Sequence, residues 1–451
     1  MQNNESDNDN QTDNDNQTIQ PTVTFSTVSE MIDYDCSVGD IVSTTGYHAE
    51  GDGGNGVYEI TKYNSSSNGG TRITLSNGRQ ANLIVNDDTV SISQFGAYGD
   101  GVHDDSDALT KAFNSEVTNV TLTENAVYNV TKPVKITNSD LNVIGNNATI
   151  RSTNSYDANG EFLISVQADD VTIQGINVYS AETIPVKYKT QLGILHTSNV
   201  TVRDCNFEIP STVSKTKVEG GNKEYTNVDV WGDWNTVTIA DCNFINNSQC
   251  EAGGGIWIRD MSEGSVGGRN FEMYGCYFNK SCHDEVIAVF RGNIENVYVH
   301  DNEFVMRNNN VSSDSVVCLI IGNASSITCD NVVFENNTFD VTSSNYFMNF
   351  GNSTNAKFIN NEVVYEKSGD GTFYFVYIVT DSEPDESNII ANNDVTINAT
   401  QDIKQLFNAQ GTYTNNRITL NGQSEILTAF KRGTDGGGNV LIKNGIESNI
   451  H

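Results

Sequence analysis

The stretch from Phe95 to Phe113 reads FGAYGDGVHDDSDALTKAF, and the fold turns on how it is read. Two glycine-punctuated turns, at Gly96 and at Gly99 to Gly101, run into the carboxylates Asp104, Asp105 and Asp107. Behind them Ala108, Leu109, Ala112 and Phe113 are spaced to share one face of a helix. The spacing predicts a turn, an N-cap and a short amphipathic helix, with the aspartates capping that helix rather than carrying chemistry.

Downstream the chain repeats itself. Asn142-Val143-Ile144-Gly145-Asn146 is echoed by VTIQGINV from Val171, VTVRDCNF from Val200, VTIADCNF from Val237 and FEMYGCYF from Phe271. The series continues with VYVHDNEF from Val297, VVFENNTF from Val332, AKFINNEV from Ala356 and NIIANNDV from Asn388, at spacings of 24 to 37 residues. Further apolar segments lie between the echoes: FLISV at Phe162, LGIL at Leu192, GIWI at Gly255, VIAVF at Val286, VCLII at Val317, FMNF at Phe347 and EILTAF at Glu425. Units of this size with β-branched alternation are coils of a solenoid, each stable only against its neighbours. Asn146, Asn302, Asn337, Asn361 and Asn393 share one repeat position with Cys205, Cys242 and Cys276. The asparagines are expected to form an internal hydrogen-bonded ladder and the cysteines to stack in the same column as small buried residues.

The nineteen residues from Phe95, with the glycine-rich Gly46 to Tyr58 ahead of them, resemble the start of the β-helix in the pectate-lyase superfamily. That group includes rhamnogalacturonase-like and epimerase-like proteins and many phage tailspikes. The resemblance implies an all-β chain: a single-stranded right-handed parallel β-helix (a pectin-lyase-like solenoid) with a short N-terminal cap helix and a small N-terminal β module. On that reading residues 1–21 are a disordered acidic tail, 22–90 the β-hairpin module, 91–430 the β-helix and 431–451 a C-terminal strand and tail. It also implies a polysaccharide partner, a homotrimer and attachment to a virion. The asparagine-threonine-aspartate, paired-aspartate and glycine-histidine-glycine series of polygalacturonases is absent from the coils.

Lys and Arg number 25 against 58 Asp and Glu, a net charge of −33. Such a surface repels nucleic acid and anionic membranes. No apolar run reaches the ~20 residues of a membrane span, so no membrane insertion is expected. MQNNESDNDNQTDNDNQT lacks the basic and apolar regions of a signal peptide. An extracellular or virion location then calls for another route out, such as lysis, or for a signal outside this sequence. The eight cysteines contain no CxxC pair or zinc-type cluster, and no metal site is read from the sequence. Glycines 51, 53, 54 and 56 read as a hairpin turn, because no phosphate-loop pattern follows them.

A β-helix carries its chemistry on outward strand residues and adjoining loops. Alternation places Val228 and Val230, Ile256 and Ile258, and Val286, Ala288 and Phe290 inward. The outward set is then Asp229, Trp231 and Asp233, Trp257 and Arg259, and Glu285 and Arg291. Trp231, Trp257, Arg259 and Arg291 supply the aromatic faces and charges that sugar recognition uses. The third tryptophan, Trp234, falls just beyond this column. The segment SCHDEVIAVFR from Ser281 is the densest titratable cluster, with His283, Asp284 and Glu285 at the start of a strand. Glycosidic hydrolysis takes two carboxylates, here Glu285 with Asp260, Asp233 or Asp229. A lyase or epimerase would instead need a base and a cation to neutralise a uronate, either Arg259 and Arg291 or Ca²⁺ held by carboxylates. A non-catalytic adhesin or structural spike would use the same face for binding alone.

Overall fold

The computed structural model describes residues 21–153, 162–180, 188–211, 224–248, 254–259, 267–281, 287–290, 293–307, 316–321, 329–343, 346–351, 353–367, 373–377, 387–422 and 424–450. The chain divides into two compact units, up to Ile84 and from Val85 onward.

The first unit is a five-stranded sheet. Its spatial order is Val23–Phe25, Ile41–Thr44, Gly56–Lys62, Arg79–Leu83 and Arg72–Thr74. The helix Val28–Asp33 contributes Val28 and Met31 to a core with Phe25, Val42, Tyr58, Ile60, Ile73, Leu75 and Ala81. Ile41–Thr44 and Gly56–Lys62 pair as the expected hairpin. Their connecting loop closes on Asp52, whose carboxylate accepts N–H bonds from Tyr47, His48, Ala49 and Gly54 at 2.7 to 2.9 Å. Partial burial pushes that carboxyl up, but the four donors outweigh it and hold it below its ordinary range. The N–H groups a phosphate would need are thus already satisfied from within the loop.

The second unit is a parallel β-helix. Most coils contribute three strands, and the strands stack into three parallel columns. Tyr188–Leu195, Glu224–Trp231, Ile256–Arg259 and Ile287–Phe290 belong to the first column. Ser198–Arg203, Asn235–Ala240, Gly268–Tyr274, Ile294–His300 and Cys329–Glu335 belong to the second. Asn206–Ile209, Asn243–Asn246, Tyr277–Lys280, Glu303–Arg307 and Thr338–Ser343 belong to the third.

The turn between the second and third columns explains the repeated sequence. Gly175, Asp204, Asp241, Gly275, Asp301, Asn336, Asn360, Asn392, Asn415 and Gly438 all have φ between +52° and +74°. Only Gly, Asn and Asp occur there, the residues that tolerate the left-handed region most readily. The next residue points inward. Cys205, Cys242 and Cys276 are buried free thiols in this column. Asn302, Asn337, Asn361 and Asn393 continue it as a ladder, each Nδ2–H donating to the next rung's Oδ1 at 2.8 to 3.3 Å. Each also donates to a backbone carbonyl of the preceding coil. Asn416 and Asn439 add two rungs that the sequence echoes did not include.

Asn146 departs from the expectation. Its turn is longer, and Asn146 sits exposed at φ +50° while the buried Ala148 accepts the next coil's N–H in the ladder position. Beside the ladder runs an aromatic stack: Phe207, Phe244, Phe278, Phe304 and Phe339, with successive centroids 4.6 to 5.2 Å apart. Such pairs contribute about 0.5–1.5 kcal/mol each beyond burial of their area.

The cap helix spans Ser106–Phe113 and buries Ala108, Leu109, Ala112 and Phe113, as the spacing predicts. The aspartates divide the work differently from simple capping. Asp104 accepts from Ser106 N–H and from the Thr131 N–H and hydroxyl, whereas Asp105, at the N-cap position, makes no capping bond. Asp105 turns back to accept from Tyr98 N–H at 2.7 Å and Gly99 N–H at 3.2 Å, and is 1% exposed. Burial pushes its carboxyl up to about 6 despite those bonds. A folded-state value above the unfolded one adds stability that is complete below about pH 3.9 and lost as pH rises through about 6. Asp105→Asn should therefore flatten the pH dependence of cap stability, by on the order of 2–3 kcal/mol between pH 4 and 7. Hydrogen exchange of the Tyr98 and Gly99 amides across that range reads it out.

Candidate functional site

Ile256 and Ile258 are buried in the first column and pair with Val228 and Val230 on one side. On the other side they pair with Ile287 and Val289, which are also buried. The inward positions of that third coil are thus Ile287 and Val289, one residue out from the expected Val286, Ala288 and Phe290. Ala288 and Phe290 stand in register with Trp257 and Arg259. VIAVF is apolar throughout, so its alternation carries no phase of its own, and the neighbouring coils set it.

Asp229, Trp231, Trp257 and Arg259 come together on the outer side of two successive strands. Asp229 pairs with Trp257 and Trp231 with Arg259. Arg259 Nε donates to Asp229 Oδ1 at 2.9 Å and its Nη2 to Oδ2 at 2.5 Å, a two-point grip on the carboxylate. The guanidinium carbon lies 5.4 Å from the Trp231 ring centroid and 4.9 Å from that of Trp257. Asp229 is 1% and Arg259 13% exposed, so the pair is largely removed from water. Burial pushes the Asp229 carboxyl up and the Arg259 charge pulls it back, with burial the larger effect. Cation–π contacts of this kind contribute about 2 kcal/mol where desolvated.

The tryptophans divide unequally. Trp231 is half-buried, and Trp257 is 6% exposed with its indole edge against Gly254, where a Cβ would fall 2.2 Å from Nε1. The Trp231 Nε1–H is buried and finds no acceptor among the described residues. Trp234 is 2% exposed, meets Phe271 edge-on at 6.2 Å and packs against Gly268. It belongs to the core rather than to the outer patch.

Asp233 is exposed at the edge of this patch and accepts from Gly267 N–H at 3.2 Å. His196, one coil earlier, was missed by the sequence reading. Its ring lies over Gly232, where a Cβ would fall 2.3 Å from it, and its Nδ1 accepts from Asp233 N–H at 3.4 Å. Its position outside the repeated echoes left no signal beyond its identity. Asp260, His283, Asp284, Glu285 and Arg291 lie outside the described residues. Among the described residues no group of three or more His, Cys, Asp or Glu is placed to hold a metal ion. Nor is any helix there long and apolar enough to cross a membrane.

The stacked parallel coils form a β-helix with a charged aromatic patch on one outer column. Among solved structures the fold is similar to full-length tailspike protein 2 of an Escherichia coli bacteriophage, at 12% identity over 95% of this chain and 52% of that one, TM-score 0.51. It is similar to the enzymatically active domain of bacteriophage CBA120 tailspike protein 4, at 13% identity over 94% and 53%, TM-score 0.51. PfbA, a surface adhesin of Streptococcus pneumoniae, matches at 13% identity over 80% of this chain and 99% of its own, TM-score 0.52. The chain spans about half the length of these tailspikes. Its sequence matches no family model and no curated protein. At these identities the likeness is one of fold: the chain is a parallel β-helix, as those structures are.

Proposed function

We propose that this chain binds a surface polysaccharide on the face built by Glu224–Trp231 and Ile256–Arg259, and that it cleaves the bound chain. The observation that carries this reading is the Arg259 guanidinium, locked by Asp229 and flanked by two indole rings on an outer face. A side chain fixed in advance loses little entropy on binding, and an indole beside it offers an apolar surface to a sugar ring.

Within this reading Asp229 positions Arg259, since both its oxygens are taken up by the guanidinium. Cleavage then falls to Glu285 with Asp260 or Asp233, supported by His283, Asp284 and Arg291, in a two-carboxylate hydrolysis. An elimination would instead use Arg259 and Arg291, or Ca²⁺ held by the carboxylates, to neutralise a uronate. The location that goes with these roles is extracellular or virion-borne, and a homotrimer goes with the tailspike likeness. A second reading, binding without cleavage, is favoured by the likeness to a surface adhesin over nearly all of that chain's length.

Incubation with capsular, exopolysaccharide and pectic glycans separates these readings. New reducing ends indicate hydrolysis, absorbance of unsaturated uronates indicates elimination, and retention without either indicates an adhesin. Trp231→Ala should weaken binding of the cognate glycan about 10- to 100-fold, at a local stability cost of about 2 kcal/mol from the lost contact with Arg259. Glu285→Gln and Asp260→Asn together should abolish cleavage and spare binding. Full cleavage by both single variants would remove these residues from the mechanism.

A further inference from the structure

One exposed side chain at the edge of the Trp231 face is held in place at a cost to its own backbone. His196 follows the strand Tyr188–Leu195 and sits exposed at φ +49°. Among the described residues every other non-glycine position in that left-handed region carries Asn or Asp, apart from Thr236. Asn and Asp settle there because their short side chains bond the local backbone, whereas the His196 ring reaches across to the next coil. Its backbone N–H donates to Trp231 O at 3.1 Å, and its Nδ1 accepts from Asp233 N–H at 3.4 Å. The ring covers Gly232, itself at φ +85°, and three of its atoms fall within 2.7 Å of the place a Cβ would take there. Any side chain at position 232 would push the imidazole away. Backbone strain kept at an exposed side chain that adds nothing to the core is a mark of function rather than of folding.

The imidazole stands where a ligand on the Trp231 face would meet it. Leu195 pairs with Trp231 across the coils, and Trp231 with Arg259, so His196 ends the row that these residues form. Acceptance at Nδ1 places the ring proton on Nε2, which makes that atom a donor. The charges beside it are already arranged. Arg259 is taken up by Asp229 in its two-point grip, and the exposed Asp233 adds a carboxylate next to His196. Those groups together leave the described face with an excess of negative charge.

We infer that His196 is a further ligand-contacting residue of the Trp231 face, donating Nε2–H to a hydroxyl or ring oxygen of an uncharged sugar. The inference rests on the polysaccharide reading of that face proposed above. An indole takes the apolar side of a pyranose, and a donor fixed beside it meets an oxygen at the rim of the same ring. Because the imidazole is held before the ligand arrives, little entropy is lost on contact. A uronate in this position would face the Asp233 carboxylate with no cation to spare from Arg259.

Two substitutions separate binding from folding. His196→Asn suits the left-handed turn, so it should melt at or above the wild-type temperature, yet weaken polysaccharide binding about tenfold through loss of one hydrogen bond. His196→Gln carries an amide nitrogen to the neighbourhood of Nε2, so it should keep affinity within about threefold while melting lower than His196→Asn. Affinity is measured by calorimetry on the full chain, with neutral capsular polysaccharides and with uronate-containing ones before and after carboxyl reduction. Binding is expected for uncharged polymers, and for a uronate polymer of matching linkage only after reduction. Wild-type affinity in His196→Asn would overturn the inference, as would affinity and melting temperature falling together in both variants, the behaviour of a structural filler. Binding that disappears on carboxyl reduction would overturn the uncharged assignment. Wild-type affinity in Trp231→Ala, or retention of no polymer at all, would instead remove the polysaccharide reading of the face, and the inference with it.

Discussion

Asn361→Ala is expected to destabilise the coils around it by about 3–5 kcal/mol. Asn361 Oδ1 accepts from Asn337 N–H at 2.8 Å and from Asn337 Nδ2 at 3.1 Å. Its own amide donates to Phe334 O at 3.0 Å and Asn393 Oδ1 at 3.3 Å. All of this is buried, so truncation strands donors and acceptors in two neighbouring coils where water cannot replace them. The outer ladder supplies the control: exposed Asn421 donates to Asn398 at 2.9 Å, and Asn421→Ala should cost about 0.5 kcal/mol or less. Because a solenoid unfolds by neighbouring units rather than as one body, hydrogen exchange resolved by coil measures the loss better than a single melting temperature. Equal protection in the two variants would show that the inner ladder is not the restraint described above.

Arg259→Met is expected to cost about 3–5 kcal/mol and to abolish glycan binding on the Trp231 face. The cost arises less from the contacts removed than from the Asp229 carboxylate left buried without its counter-charge. Two consequences separate this account from simple loss of packing. Asp229→Asn combined with Arg259→Met should recover much of the stability while binding stays lost, a strong non-additivity between two touching residues. The penalty of Arg259→Met alone should also shrink on acidification. Burial pushes Asp229 upward, so the contribution of its neutral form is present at low pH and is lost as pH rises through its folded-state value. Hydrogen exchange of Glu224–Trp231 at several pH values reads both effects.

Much of this architecture could be read from the sequence because the repeat is tied to backbone geometry. A left-handed residue followed by a buried Asn or Cys recurs as DC, GC, DN and NN, since few residues satisfy the first position and fewer still bridge coils from the second. Where the turn lengthens, at Asn146 to Ala148, pattern matching counts the wrong residue. The late rungs Asn416 and Asn439 escape because their coils have drifted from the VTI-like form. EILTAF likewise looks like a strand, but the column strand is Phe430–Gly437, with Ile426 contributing only an isolated bridge to Ile403.

The candidate site was legible where polar and apolar residues alternate and not elsewhere. Asp229, Trp231, Trp257 and Arg259 lie in strands with a clear phase, and the structure brings them together. VIAVF has no polar member to mark its outer side. Trp234 follows the Gly232 turn, where alternation stops, and it packs inward. On the second column the stacked rings of Tyr274, Tyr298 and His300 were hidden for another reason. Tyr274 sits in one echo and Tyr298 and His300 in the next, both read for their shared ladder position, and only the register sets Tyr274 beside His300.

Polysaccharide binding on the first column's outer face would shield that face from solvent. Hydrogen exchange with and without the cognate glycan, compared between the wild-type chain and Trp231→Ala, tests it most directly. Glycan-dependent protection should centre on Glu224–Trp231 and Ile256–Arg259 and be lost in the variant. Protection confined to other columns, or unchanged in Trp231→Ala, would contradict it.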